Sequence, residues 1–377
     1  MNYLVYLNNY DIRPCKAQYL FWFYYMLERF PEALFVINND YVNPDPNRWE
    51  VCKPQVAYKN PKDLKLKYCI VLPKFEDLDE ICFEKLPSRI LNMAVNYEIP
   101  SLLMELSSII KQENIEAVIT CCNNRSLERA CDINKVPCIH TEQGPLRPPF
   151  FKRTAYFDFK GVNGNTEFST RFSEFKKVAD KVKVYPKRDL LSIICADKEK
   201  ARELISLSKE KPVYDCGVAM QVDVDTNLIA YNNNVSQTDL LNMAIREHGN
   251  VLVRNHPLSS SGYTSSCSLG PSTLDDSKNS FEFISKCKKI WTINSSVGFE
   301  ALLMGKEVCF EGDTPFKELA KMSDDELLLA LNFAIFSYLV SPQDLNSEKY
   351  HEFRINCKDE LELYNKGQEK LLRLSYS

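Results

Sequence analysis

Between residues 251 and 312 the chain alternates apolar runs with polar breaks at a spacing that leaves few folds open to it. It reads VLVRNHP, a polar loop, and then FISKCKKIWTINSSVGFEALLMGKEVCFEG. The second half spells a strand, a tight Ser-Ser turn, a helix opening near Val297, a stop at Gly305 and another strand. Parallel strands need a crossover, usually helical. Such a unit leaves backbone N–H groups free at the helix N-terminus, here with two hydroxyls beside them, where a phosphate can sit. The first half puts Arg254 and His256 at the C-terminal end of an earlier strand, the edge where open α/β sheets bind ligands.

The same alternation runs through the rest of the 377 residues. Residues 3–7 and 34–37 have the pattern of short buried strands around an aromatic helix over 16–30. A helix over 98–114 puts Leu102, Leu103, Leu106, Ile109 and Ile110 on one face. A strand over 117–122, a helix over 126–134 and a strand over 137–140 follow. A polar stretch over 160–188 then interrupts the pattern. A second series has helices over 197–209 and 238–248, an extended segment over 213–224 and a strand over 251–254. After Gly312 the pattern is mostly helical to Leu372. The expected fold class is α/β and GT-B-like: two Rossmann-like domains facing a central cleft, with a helical C-terminal tail crossing back. The expected domains are 1–185 on the acceptor side, 186–315 for the nucleotide sugar, and 316–377 as helices packing back on the first domain.

Composition excludes several classes. A net charge of −4 and no basic tail argue against a nucleic-acid partner. None of the 11 glycines form GxGxxG, which argues against a nicotinamide or flavin enzyme. The 14 cysteines include no CxxC pair, so a structural zinc is not expected, and Cys121, Cys122, Cys131 and Cys138 have the setting of reduced, buried thiols. The opening MNYLVYLNNY has the pattern of a strand and not of a signal peptide. The apolar run over 327–340 is shorter than the roughly 18–20 residues a spanning helix needs, and has the pattern of a buried helix. These features favour a cytoplasmic protein. The aromatic residues Tyr19–Tyr25 could touch a bilayer, although a core helix is the plainer expectation.

Four segments could carry chemistry, and each has a plainer alternative. In NSSVGFEALLMGK, Ser295 and Ser296 fall where strand meets helix, which suits a phosphate or a simple N-cap. Glu300, one turn on, could accept from ribose hydroxyls or complement the helix dipole. In RNHP, Pro257 holds His256 extended beside Arg254, which suits a phosphate or carboxylate; the alternative is a histidine satisfied by a loop carbonyl. In QVDVDTN, Asp223 and Asp225 alternate with valines after Gln221, so an extended chain points both carboxylates one way. One of them could work at an anomeric carbon, or the segment could be an Asx turn. In TEQGPLRPP, Gly144 turns the chain and presents Glu142 as an acid/base and Arg147 as an anion partner; an ordinary Gly-Pro loop fits as well.

Taken together and in order, EQGPLRPP, QVDVDTN, RNHP and NSSVGFEALLMGK resemble the bacterial β-Kdo transferases of surface polysaccharide assembly. The resemblance is to the WbbB-type retaining enzymes that use CMP-Kdo and, more distantly, to the KpsC-type capsule enzymes. It covers roughly residues 115–315. The HP and SS pairs are shared with other CMP-sugar transferases; the Q-x-x-x-D-T and E-x-G patterns narrow the likeness toward Kdo. The resemblance implies Asp225 as nucleophile, with Asp223 exchanging roles if the alignment slips by two residues. It implies Glu142 near the reacting centre, and Arg254, His256, Ser295, Ser296 and Glu300 around CMP and the Kdo carboxylate. Gln221 and Arg147 complete the candidate set. Where capsule-type relatives often carry Lys, this chain has Arg254, which keeps the positive charge.

The implied partners are a CMP-sugar donor and a saccharide acceptor, lipid-linked and met at the inner face of the bacterial inner membrane, with no cofactor or metal. Three alternatives stay open: an inverting, sialyltransferase-like enzyme in which the aspartate is a base, a nucleotide-sugar epimerase, and a non-catalytic polysaccharide-assembly protein.

Overall fold

A strand buried on both faces has to be apolar throughout, and β1 (Tyr3–Tyr6), YLVY, is buried at every position. In the computed structural model, residues 1–7, 18–38, 41, 68–72, 95–222, 225–257 and 272–376 are described. They form two units, Met1–Glu142 with Asp158–Val162, and Gln143–Phe157 with Asn163–Ser377.

In the first unit β1 pairs in parallel with β2 (Leu34–Asn38) and with β4 (Ala117–Thr120). The strand β3 (Tyr68–Leu72) extends this series beyond β2, and β5 (Cys138–Gln143) extends it beyond β4, all in parallel. The helix Gln18–Arg29 links β1 to β2, as the sequence leads one to expect. The helix Pro100–Gln112 starts on a proline, where no N–H is missed, and buries Leu102, Leu106, Ile109 and Ile110. Asn124 caps the helix Arg125–Asn134 by accepting from Leu127 N at 3.0 Å. Of the candidate bilayer contact Tyr19–Tyr25, Phe23 is a buried core residue.

The second unit holds five parallel strands in the order β11-β10-β7-β8-β9. These are β7 (Tyr214–Ala219), β8 (Val251–Arg254), β9 (Thr273–Leu274), β10 (Cys287–Thr292) and β11 (Glu307–Phe310). The chain starts at the centre with β7, builds outward through β8 and β9, then returns to the other side for β10 and β11. The order therefore reverses between β7 and β10, and such a switch point opens a crevice at the C-terminal strand ends. The helix Ser296–Leu303 crosses from β10 to β11, and Gly305 takes φ +77° just past its end, where the stop was expected. The two sheets, parallel in every pairing just described, give the α/β, Rossmann-like outline expected from the sequence.

Two expectations need correction. The boundary expected at 185, near the end of the polar stretch 160–188, does not fall there. Residues 163–188 belong to the second unit and contain the helix Phe168–Lys176, whose Phe168, Arg171, Phe172 and Phe175 are buried. The C-terminal residues hold it there. Phe168 meets Phe316, Phe333 and Tyr338 edge-on at 4.9–5.6 Å between ring centres. Arg171 grips Glu360 with two hydrogen bonds, Nε to Oε1 at 2.6 Å and Nη2 to Oε2 at 3.0 Å. Burial opposes the Arg171 charge, and the Glu360 carboxylate more than offsets this, so its pKa is raised. The tail thus packs on residues 168–185, but within the second unit.

The apolar run 327–340 is likewise not one helix. It is α-helical over Asp324–Phe333 and turns as a π-helix over Ala334–Tyr338. It then ends as β12 (Leu339–Val340), antiparallel to β6 (Ala155–Asp158). The interrupting Asn332 is buried and holds Tyr185 through its N–H at 2.8 Å and its carbonyl at 2.9 Å. Among the described residues no helix is long and apolar enough to cross a membrane.

The buried Arg171–Glu360 pair differs in kind from the exposed Lys177–Glu174 pair. Glu360→Ala, which strands a buried guanidinium, should lower the unfolding free energy by about 3–5 kcal/mol. Glu174→Ala should change it by at most about 1 kcal/mol. Urea unfolding of both variants checks this; equal losses would refute the assignment of Glu360 as the anchor of the tail.

Candidate functional site

The switch point is closed by side-chain amides. Gln221, just past β7, is buried; its Nε2 donates to Asn294 Oδ1 at 2.8 Å. Its Oε1 accepts from Asn294 N at 3.1 Å and from Thr292 Oγ1 at 3.3 Å. Gln237, at the start of the helix Gln237–Glu247, exchanges two hydrogen bonds with the Gln221 backbone. Asn294 Nδ2 reaches on to the carbonyls of Asn227 at 3.1 Å and Tyr231 at 3.3 Å. The ends of β7 and β10 and the starts of three helices are thereby tied by one network. Its polar groups are buried, so each bond it lacks would cost more than it gains when made.

The helix Ser296–Leu303 opens directly from this network. Ser295 is its N-cap and accepts from Val297 N at 3.3 Å, while Thr292 Oγ1 accepts from Ser295 N at 3.2 Å. One serine therefore serves as a cap, the plainer of its two readings. The Ser296 hydroxyl has no hydrogen-bond partner among the described residues. It stands in the first turn, where the backbone N–H groups also point outward.

Asp225 caps the short helix Thr226–Tyr231, with Oδ1 accepting from Asn227 N at 2.9 Å. The Asx-turn geometry anticipated for this segment is thus present, on Asp225. Asp223 lies outside the described residues. Asn227 donates toward Asn294 O at 3.5 Å, while its own Oδ1 is buried with no partner.

Arg254 ends β8, and its Nη1 donates to the Asp275 carboxylate and to Ser277 O at 3.0 Å. Asp275 is itself fully buried as a side chain and also faces Lys286 at 3.6 Å. Part of the Arg254 charge is therefore committed inside the protein, and its remaining N–H groups have no partner among the described residues. His256 lies half-buried two residues beyond the strand.

Glu300 does not sit in the first turn of its helix and complements no dipole there. Its carboxylate accepts from Ser280 Oγ at 2.8 Å. Burial pushes its pKa up to about 7, while the Ser280 hydrogen bond and the charges of Arg147 and Arg254 pull the other way. Arg147, exposed on the loop after Gly144, is steadied by donating from Nε to Gly144 O at 2.8 Å. Two arginines thus flank one carboxyl that titrates near neutrality, all within the second unit. Such a site accepts an anion most readily with Glu300 protonated.

Glu142 belongs to the first unit, on β5. Burial, then the neighbouring Cys122 and Glu142, raise the Cys121 thiol. Burial likewise pushes the Cys122 thiol up to about 12, so both stay protonated at neutral pH. Among the described residues, no group of three His, Cys, Asp or Glu side chains is placed to hold a metal ion.

The structure adds Asn294, Gln237, Thr292, Asn227, Ser280 and Asp275 to the candidate set. The only trace of them in the sequence is polarity at strand ends, with NSS and DTN as the clearest cases.

Residues 5–167 match the family profile of the Glycosyltransferase 99 family N-terminal domain. Residues 169–330 match that of the Capsule polysaccharide biosynthesis protein. No curated protein matches the chain. Similar solved structures include the Thermosulfurimonas dismutans KpsC beta Kdo 2,7 transferase, 13% identical over 97% of this chain and 99% of that chain, with a TM-score of 0.46. The beta Kdo 2,4 transferase of the same KpsC is 16% identical over 62% of this chain and 88% of that one, with a TM-score of 0.38. The UDP-GlcNAc 2-epimerase of Methanocaldococcus jannaschii is 11% identical over the whole of both chains, with a TM-score of 0.31.

The raised Glu300 pKa has a signed consequence. The unfolded carboxyl titrates near 4.5 and the folded one near 7, so the folded chain holds this proton more tightly. The resulting stability is full below about 4.5 and lost as the pH rises through about 7. Glu300→Gln should match wild type at the acid end and exceed it well above pH 7 by on the order of 3 kcal/mol. Urea unfolding across that range decides; a pH-independent difference would refute it.

Proposed function

We propose that this chain, in which a glycosyltransferase 99 family N-terminal domain precedes a capsule polysaccharide biosynthesis domain, transfers Kdo from CMP-Kdo to a saccharide acceptor of bacterial surface polysaccharide, with retention of configuration. The observation that carries the reading is the opening of the helix Ser296–Leu303 at the switch point. A first-turn hydroxyl and outward N–H groups stand at the start of the helix that carries Glu300, whose carboxyl feels Arg147 and Arg254. These groups suit a leaving phosphate monoester. CMP carries one phosphate, and fixed N–H, hydroxyl and guanidinium groups can offset its charge without a divalent ion. The four sequence segments that resemble β-Kdo transferases supply the donor identity.

Kdo is a 2-keto sugar, so its anomeric carbon C2 is quaternary and bears a carboxylate. In the proposed first step the Asp225 carboxylate bonds to C2 while the C2–O bond to phosphate breaks and its electron pair leaves with CMP. In the second step the acceptor hydroxyl oxygen bonds to C2, the Asp225 carboxylate departs, and the hydroxyl proton passes to a base. Glu142 is the candidate base. Ser295 holds the helix start, and Ser296, Arg254 and Arg147 are the proposed donors to phosphate and to the Kdo carboxylate, with His256 beside them. Glu300 is the proposed partner of a ribose hydroxyl. The acceptor we infer is lipid-linked and reached at the inner face of the membrane.

The cap on Asn227 N supports a second role for Asp225, that of holding its segment in place. Asparagine caps helices about as well as aspartate does, so Asp225→Asn separates the two roles. Under the proposal this variant keeps its melting temperature but loses transfer by about a thousandfold or more, and the wild type incubated with CMP-Kdo without acceptor shows a covalent Kdo adduct in intact-protein mass spectrometry. A variant with near-normal transfer, and no adduct on wild type, would exclude the nucleophile. CMP, but not UDP or GDP, should raise the melting temperature, by an amount equivalent to about 2.7 kcal/mol at a hundredfold excess over Kd.

A further inference from the structure

Glu300 has one hydrogen-bond partner for its carboxylate among the described residues, the Ser280 hydroxyl, which donates to Oε2 at 2.8 Å. The residue is half-buried, and its Oε1 accepts from no described residue. One oxygen is therefore held while the other is left for a ligand. A long side chain loses rotamer freedom when it binds, and holding one oxygen beforehand removes part of that cost.

Ser280 is itself built into place. It opens the helix Ser280–Ser285, which Asn279 caps, with Oδ1 accepting from Phe281 N and Glu282 N at 2.9 Å each. Phe281, Phe283 and Ile284 are buried, and the Phe281 ring centre lies 4.5 Å from that of Phe150 and 5.4 Å from that of Phe151. The first turn cannot shift without disturbing this apolar anchor.

The residues just before Ser280 act on the same carboxyl from the other side. Arg254 is near enough to lower the Glu300 pKa, yet its ion pair is with Asp275, and Ser277 O accepts a second bond from the same Nη1. Asp275 is oriented in turn by Ser277, whose N and Oγ donate to Oδ1 at 3.1 and 2.5 Å. The Phe283 ring centre lies 6.0 Å from the guanidinium carbon. Among the described residues Glu300 forms no ion pair, so its open oxygen is not spent inside the protein.

We infer that Ser280 is a positioning residue, whose hydroxyl fixes Glu300 so that Oε1 meets a ribose hydroxyl of the nucleotide while Asp275 keeps Arg254 clear of that oxygen. The inference rests on the reading of Glu300 as the ribose partner. It adds the side chain that makes the contact selective: a fixed buried acceptor is left unpaired by a sugar lacking the hydroxyl, whereas a loose one turns to water.

Calorimetric titration of the full chain with CMP, 2′-deoxy-CMP and 3′-deoxy-CMP tests this. Wild type should bind CMP about tenfold or more tightly than at least one deoxy form. Ser280→Ala should bind CMP about tenfold more weakly and that deoxy form as wild type does, so the discrimination is lost. A merely structural role would weaken all three nucleotides alike. Ser280→Thr keeps the hydroxyl and should restore the discrimination. A second readout needs no nucleotide. The Ser280 hydrogen bond pulls the Glu300 pKa down against burial, so without it the pH at which stability is lost should rise from about 7. The inference is overturned if Ser280→Ala still discriminates, if all three nucleotides weaken alike, if Ser280→Thr behaves as Ser280→Ala, or if that pH does not rise. Each of those results leaves the ribose role of Glu300 standing, provided wild type discriminates. A wild type that binds no CMP, or binds all three nucleotides alike, instead removes the donor-side reading and this inference with it.

Discussion

Gln221 bridges the place where the strand order of the second unit reverses. Its side chain and backbone meet Asn294, Thr292 and Gln237, so the ends of β7 and β10 cannot move apart without breaking several buried hydrogen bonds at once. A switch point is an opening by topology, since the two central strands send their following helices in opposite directions. Filling its base with amides keeps the opening in one shape. The opening of the helix Ser296–Leu303 inherits that shape, because Asn294 and Ser295 are fixed from below. Every charge near that helix is then placed relative to a rigid base.

Charge around this base is held in reserve. Arg254 shares its guanidinium with a fully buried Asp275, and Glu300 is close enough to Arg147 and Arg254 to feel both, yet burial keeps its proton on up to neutral pH. The cations of this region therefore have internal partners already positioned. Under the proposed transfer, such an arrangement would lower the reorganisation needed when negative charge develops, the property that makes fixed dipoles and charges effective. It also makes the region sensitive to pH through the Glu300 carboxyl.

The C-terminal residues show how an apolar pattern can be read correctly for burial and wrongly for shape. Residues 327–340 are buried nearly throughout, as their composition suggests, but the chain leaves the α-helix at Ala334 and ends as a strand edge. Asn332 and Ser337, which look like interruptions, are where Tyr185 and Arg171 attach. The polar stretch 160–188 hides the matching half of that contact. Its phenylalanines recur at Phe168, Phe172 and Phe175, and only the tail gives that stripe something to pack against. A unit boundary depends on such long-range partners, so local polarity misplaces it.

Alternating apolar runs determined by themselves that this chain folds as parallel α/β layers, because strand and helix periods differ and each buries its own face. The Ser-Ser turn, the strand-end Arg254 and the glycine stop at Gly305 were legible for the same reason: each is a local requirement of a strand-to-helix crossover. Local chemistry also left each side chain with two uses open. Only the tertiary structure decided that Glu300 reaches Ser280 and that Asn294 and Gln237 close the base of the crevice. Those outcomes depend on which buried partner lies across the fold, at separations of up to 73 residues for Gln221 and Asn294, and no short-range pattern carries that information.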